Sequence, residues 1–151
     1  MKKLLLFLLF FLPLSSISQT ISFDSNGTCN CANATAGDTA TISGTLYTVV
    51  DNSTIAGQIA SGNVNLCTTL VTDMSELFKN NTSFNSDISF WDTSNVTNMH
   101  GVFWGASTFN QDIGNWDMSN VLNTNNMFDR AYAFNQDISG WDVSSVTNMA
   151  L

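Results

Sequence analysis

Six aspartates recur in two series at one interval: Asp87, Asp112 and Asp137, then Asp92, Asp117 and Asp142. Carboxylates at a constant period line up in rows when the segments carrying them stack. Such a row can hold Ca²⁺, which takes about six to eight oxygen ligands in flexible geometry. A plainer chemistry is open to each one: a short carboxylate accepts backbone N–H bonds inside its own turn. The Gly-rich Asp loops of calcium-binding β-helix repeats do not occur in this sequence, which favours the plainer reading. The same carboxylates admit a glycosidase-type acid/base pair, but a reacting group has to break a repeat rather than follow it. His100 is the single histidine, and the positions one interval away are Ser75 and Asn125. No spacing around it proposes a Ser–His–carboxylate arrangement. The expectation is a chain without catalytic residues or cofactors.

Cys29, Cys31 and Cys67 are the three cysteines. In an oxidising compartment they make one internal bridge and leave one thiol. Cys29 and Cys31 are too close for an easy mutual bridge, so Cys67 is expected to be one partner. The expected disulfide is Cys31–Cys67, with Cys29 free. A metal site would need ligands that one histidine and one remote cysteine do not supply.

The compartment follows from the N-terminus. Lys2 and Lys3 precede an apolar run from Leu4 to Leu12, Pro13 ends it, and Ser16-Ile17-Ser18 places small residues where a signal peptidase reads. This is the pattern of a secretory signal over residues 1–18, cleaved after Ser18. The run is about half the roughly 20 apolar residues a membrane span needs, so no transmembrane segment is expected in the mature chain. Lys2 and Lys3 leave with the signal, so Lys79 and Arg130 then face all twelve acidic residues, a net charge near −10. A surface of that sign repels phosphate backbones, which excludes nucleic acid as a partner.

The elements that carry these residues repeat. Phe84-Asn85, Phe109-Asn110 and Phe134-Asn135 stand 25 residues apart. In the same register run Ile88, Ile113 and Ile138; Trp91, Trp116 and Trp141; Val71, Val96, Val121 and Val146; and Phe78, Phe103 and Phe128. Met74, Met99 and Met149 share a column that Thr124 interrupts. Acidity and polarity alone would suggest disorder, but disordered chains lack large apolar residues at regular spacing. Val96, Met99, Val102 or Phe103, and Ala106 have helix-like spacing, with Asp73, Asn98, Asn123 and Asn148 at N-cap or first-turn positions. Trp116 and Met118, or Trp141 and Val143, alternate as in a strand. The expectation is therefore an α/β solenoid of 25-residue strand-plus-helix repeats over residues 66–151, stacked so that the aromatic columns form one core.

Residues 19–65 read as an N-terminal cap. Thr39 to Ser43 and Thr45 to Val50 predict a β-hairpin turning at Ser43-Gly44. Asn52 or Ser53 is expected to cap a short helix bearing Ile55 and Ile59, stopped by Gly62. At the other end, Leu151 precedes the residue that would continue the Phe78, Phe103 and Phe128 column, so the array is expected to be truncated.

The stretches Asn65-Leu66-Cys67-Thr68-Thr69-Leu70-Val71-Thr72-Asp73-Met74 and Phe134-Asn135-Gln136-Asp137-Ile138-Ser139-Gly140-Trp141-Asp142-Val143-Ser144-Ser145-Val146-Thr147-Asn148-Met149 resemble the BspA-like leucine-rich-repeat surface proteins of bacteria. The resemblance covers about residues 31 to 151, and Cys31 through Thr39 with Tyr47 to Asp51 resembles the cap that often precedes those repeats. It implies a secreted or cell-surface protein acting in adhesion and protein–protein contact, with no catalytic residues. The partner implied is an extracellular protein or a ligand on a neighbouring cell. Calcium held by the Asp rows would give a second reading, a calcium-stabilised structural spacer of a larger surface protein.

Contact residues should deviate from the repeat while core residues obey it. Trp104 shares its column with Lys79 and Asp129, Phe90 with Asn115 and Gly140, and Tyr132 with Thr82 and Ser107. Trp and Tyr dominate interface hot spots. Trp104 is the expected leading contact, with Phe90 and Tyr132 secondary.

Overall fold

The computed structural model describes residues 21–150. The expected signal peptide, residues 1–18, lies outside the described residues. The first part of the chain pairs into two small sheets. In one, β1 (Ser22–Phe23) is antiparallel to β2 (Cys29–Asn30); in the other, β3 (Thr39–Ile42), β4 (Thr45–Asp51) and β5 (Leu66–Leu70) lie side by side. The β3–β4 turn is Ser43-Gly44, with φ of 50° and 86°. Two successive positive φ values give the tight turn whose twist matches that of the flanking strands. β5 runs parallel to β4, with Val49 opposite Cys67.

Between β4 and β5 lies α1 (Ile55–Ala60), which buries Ile55. Thr54 holds its N-cap position without a side-chain cap bond. Asp51 instead accepts from the Ser53 and Thr54 backbone N–H groups at 3.0 and 3.1 Å. The hydroxyls of Ser53 and then Thr54 hold the Asp51 carboxyl below its usual range. Gly62, at φ 85°, turns the chain out of the helix.

The repeats overturn the expected α/β solenoid of strand-plus-helix units. Among the described residues the one helix is α1 and every strand ends by Leu70; from Val71 onward the backbone is turns, with isolated parallel bridges Asp73↔Asn98↔Asn123↔Asn148 between units. Backbone dihedrals supply the reason. Glu76, Gly101 and Asn126 have φ of 59°, 58° and 55°, and four residues on Asn80, Gly105 and Arg130 have 58°, 73° and 58°. A right-handed helix cannot pass through such residues. Each four-residue step is instead a turn, as in Val102 N–H to Met99 O (3.4 Å) and Trp104 N–H to Gly101 O (3.1 Å). Turns repeated every four residues place apolar side chains at the same intervals as a helix. The alternating Trp116-Asp117-Met118 stretch is likewise no strand, because Asp117 bends the chain by accepting Ser119 N–H at 2.9 Å.

N–H groups released from helical bonding reach the next unit. Met74, Glu76 and Phe78 donate to the carbonyls of Asn98, His100 and Val102, each at 2.9 Å, and Met99, Gly101 and Phe103 repeat this with Asn123, Asn125 and Met127 at 2.8–2.9 Å. The residues expected to be helix caps form a side-chain ladder. Asn98 Nδ2 donates to Asp73 Oδ1 and Asn123 Nδ2 to Asn98 Oδ1, both at 3.1 Å. Each also accepts the N–H two residues on, as at Asn98 Oδ1 to His100 N (3.1 Å).

Inside this framework the aromatic columns stack. Phe103 lies 5.6 Å from both Phe78 and Phe128, ring centre to ring centre, with planes 3° and 13° apart. Phe109 sits 3.9 Å from it within the same unit. Trp91, Trp116 and Trp141 donate their indole N–H to the carbonyls of Val64, Ile88 and Ile113 at 3.1–3.2 Å, each reaching back toward the preceding layer. A buried indole satisfies its one donor in this way.

Thr124 is the flaw in the Met column. Among the described residues its hydroxyl is buried without a hydrogen-bond partner. An unsatisfied buried hydroxyl costs about 1–3 kcal/mol, and valine has the same shape without it. Thr124→Val is expected to stabilise the chain by about 1 kcal/mol, a rise of a few degrees in Tm that calorimetry resolves. An unchanged or lowered Tm would show that the hydroxyl is satisfied in solution.

Candidate binding surface

The Asp rows lie where the period places them, and each carboxylate is occupied locally. Asp87, Asp112 and Asp137 accept the N–H of Ser89, Gly114 and Ser139 at 2.9 Å. Asp92 and Asp142 do the same with Ser94 and Ser144 at 3.1 and 3.0 Å. The Ser139 and Ser144 backbone N–H groups hold the Asp137 and Asp142 carboxyls below their usual range. Asp87, Asp112 and Asp137, with Gln111, Gln136 and Asn115, line an open polar groove of about 860 Å³ across three units. Both glutamines are fixed, Gln111 Nε2 on Asn85 and Gln136 Nε2 on Asn110 at 3.0 Å. Among the described residues no group of three His, Cys, Asp or Glu side chains converges to hold a metal ion.

The three deviating aromatics have three different surroundings. Tyr132 is 81% exposed. Phe90 is not a free contact residue: it is half-buried between the cap and the first full unit, 5.7 Å from Tyr47 and 6.2 Å from Phe23. Its carbonyl accepts Cys29 N–H at 2.8 Å. Phe90 is large where Asn115 and Gly140 are not because only its layer meets the cap. Trp104 is half-buried, and the Lys79 ammonium sits 4.3 Å over its ring.

Around Trp104 the deviations gather. Glu76 Oε1 lies 2.6 Å from Lys79 Nζ and 3.6 Å from His100 Nε2. His100 Nδ1 is 2.9 Å from the Asn125 carbonyl. Asn125 Oδ1 is buried with no hydrogen-bond partner among the described residues. Gly101 turns the chain beneath the Trp104 ring at φ 58°, a conformation glycine adopts without strain. Glu76, Lys79, His100 and Trp104 thus form one acid–base–aromatic patch at positions that the other units fill differently.

Cys29, Cys31 and Cys67 are fully buried free thiols in one small core with Ile21 and Val49. Cys29, Cys31 and Cys67 pack together in that core. The Cys67 thiol holds the Cys31 pKa down to about 7, against the opposing effect of burial. Bonding to Cys29 and to Cys31, with burial, pushes the Cys67 pKa up. Cys29 therefore belongs to the cluster and does not stand apart from it. Its position two residues from Cys31 in an extended segment was the available signal, since such residues share a face.

Turn-built layers joined by asparagine ladders and stacked phenylalanines define a tandem-repeat protein with a small β cap. The model of a family described as "Mycoplasma protein of unknown function, DUF285" matches residues 46–151, and the chain belongs to that family. No curated protein and no solved structure matches the chain significantly. No helix among the described residues is long and apolar enough to cross a membrane.

Proposed function

We propose that this chain is a secreted or cell-surface repeat protein whose units serve as a protein-binding, adhesion module without catalysis. The observation that supports it is the convergence of non-repeating side chains. Glu76, Lys79, His100 and Trp104 come from two successive layers and meet in one patch, whereas the columns beneath them repeat. Packing requires the columns; it does not require the patch. The half-exposed indole is the part of the patch that suits a protein surface, because Trp is among the residues that dominate interface hot spots. The likeness of the Phe-Asn-Gln-Asp-Ile and Trp-Asp-Val-Ser motifs to BspA-like surface proteins supports an extracellular setting, as does the signal-like N-terminus. Trp104 is the leading contact in this reading and Tyr132 a secondary one; Phe90 is set aside as a joint between cap and repeats.

The test is binding of fluorescently labelled protein to intact cells, read by flow cytometry, with Trp104→Asp as the variant. The Lys79–Trp104 contact is worth about 0.5–1 kcal/mol at a partly exposed site, so the variant is expected to keep its circular dichroism spectrum and lose cell binding. A folded variant that binds as wild type does would place the contact elsewhere. If wild-type protein binds no cells and millimolar Ca²⁺, but not Mg²⁺, raises its Tm by several degrees, the calcium-stabilised spacer replaces this reading.

A further inference from the structure

We propose that Cys29, Cys31 and Cys67 form one thiol–disulfide exchange site, in which Cys67 is the shared partner and bridges to Cys31 or to Cys29 interchangeably. Cys29 closes onto Phe90 through its N–H (2.8 Å), and Cys31 N–H donates to Thr69 Oγ1 (3.0 Å). The same Thr69 hydroxyl donates to the Cys29 carbonyl at 3.3 Å. One threonine on β5 therefore fixes both ends of the Cys-Asn-Cys segment, two residues from Cys67. Asn30 points away and is exposed, while both cysteines face β5 at zero exposure. The two pairings close loops of nearly equal length, and all three cysteines share one small buried core.

The chemistry balances as follows. The Cys31 thiolate attacks a disulfide of an exported oxidoreductase or a small disulfide such as oxidised glutathione, and one carrier sulfur leaves as a thiolate. Cys67 loses its proton to solvent and attacks the Cys31 sulfur, giving Cys31–Cys67 and the fully reduced carrier. The carrier takes both electrons. Exchange then needs none: Cys29 attacks the Cys67 sulfur, the Cys67–Cys31 bond breaks, and Cys31 leaves with the charge Cys29 brought. Once the arm is seated, bonding to Cys67 favours the Cys31 thiolate, and a thiol of lowered pKa leaves faster, so Cys31 serves as the leaving group of the exchange. Oxidation precedes full docking of the β1–β2 arm, because the sulfurs are enclosed once it is seated. The bridge then latches that arm to β5, and exchange lets the latch shift by two residues without opening.

Acid-quenched, alkylated protein equilibrated in a glutathione redox buffer tests this by peptide mapping. Wild type is expected to show one disulfide per chain, always at Cys67, with the leftover thiol divided between Cys29 and Cys31. Cys29→Ser and Cys31→Ser are each expected to keep a bridge to Cys67, and Cys67→Ser to have no intrachain bridge. A leftover thiol confined to one residue in wild type would overturn the exchange. So would a folded Cys29→Ser or Cys31→Ser variant with Cys67 reduced. If a serine variant fails to fold, the wild-type map alone decides.

Discussion

Phe103→Ala is expected to lower unfolding free energy by about 3–5 kcal/mol, the usual cost of emptying a fully buried phenylalanine site. Phe103 has no exposed surface and touches rings on every side: Phe78 and Phe128 in the adjoining layers at 5.6 Å, Phe109 at 3.9 Å and Trp116 at 6.0 Å. Its removal cuts the ring column at its middle, so the layers on both sides lose contact. Domains of this size hold only about 5–15 kcal/mol in total. Chemical denaturation should therefore show a much earlier midpoint, or a chain already partly unfolded. A midpoint close to wild type would mean that the rings do not stack in solution.

Trp116→Ala should cost a comparable amount, about 3–5 kcal/mol, for a partly different reason. The indole is 3% exposed and also ties its layer to the one before, donating to the Ile88 carbonyl at 3.2 Å. Trp116→Phe separates the two contributions. It keeps most of the apolar bulk and removes one of the two N–H groups the Ile88 carbonyl accepts, the other being Trp91 N–H at 3.1 Å, a net loss of about 0.5–1.5 kcal/mol. The expected order of stability is wild type, then Trp116→Phe, then Trp116→Ala. Equal stability of wild type and Trp116→Phe would show that the indole N–H contributes nothing to joining the layers.

Column membership was legible in the sequence because burial selects residue type at each position of a repeat. Phe103, Trp116, Val96 and Met99 are core residues for the reason their columns suggested. The local chemistry of the aspartates was also legible, since an Asp two residues before a backbone N–H has few competing partners. The hairpin of β3 and β4 turns where Ser43-Gly44 placed it, and α1 carries Ile55 and Ile59 as expected, but it starts from Thr54 and not from Asn52 or Ser53. The helix expected in every repeat failed because spacing of three and four residues does not distinguish a helix from successive turns. Gly101 and Gly105 were the warning: two glycines four residues apart are costly inside a helix, about 1 kcal/mol each relative to alanine, but natural at positive φ.

The site was legible only in part. Comparison among repeats marks Trp104 as different, but cannot say that Lys79 from the preceding layer covers it. Phe90 stood out for the same formal reason, yet its partners Phe23 and Tyr47 belong to the cap, which repeats nothing. Spacing along the chain does not show that Cys29, Cys31 and Cys67 share one buried core, because that depends on β2 lying against β5.

The claim that supports all of this is that residues 98–106 are a run of turns bonded to neighbouring layers. Backbone NMR of the intact chain measures it most directly. The account predicts positive-φ chemical shifts at Gly101 and Gly105, slow amide exchange at Met99, Gly101 and Phe103, and contacts between Asn98 and Asn123 across the layers. An unbroken run of helical shifts from Asn98 to Ala106, with no contact between residues one repeat apart, would contradict it.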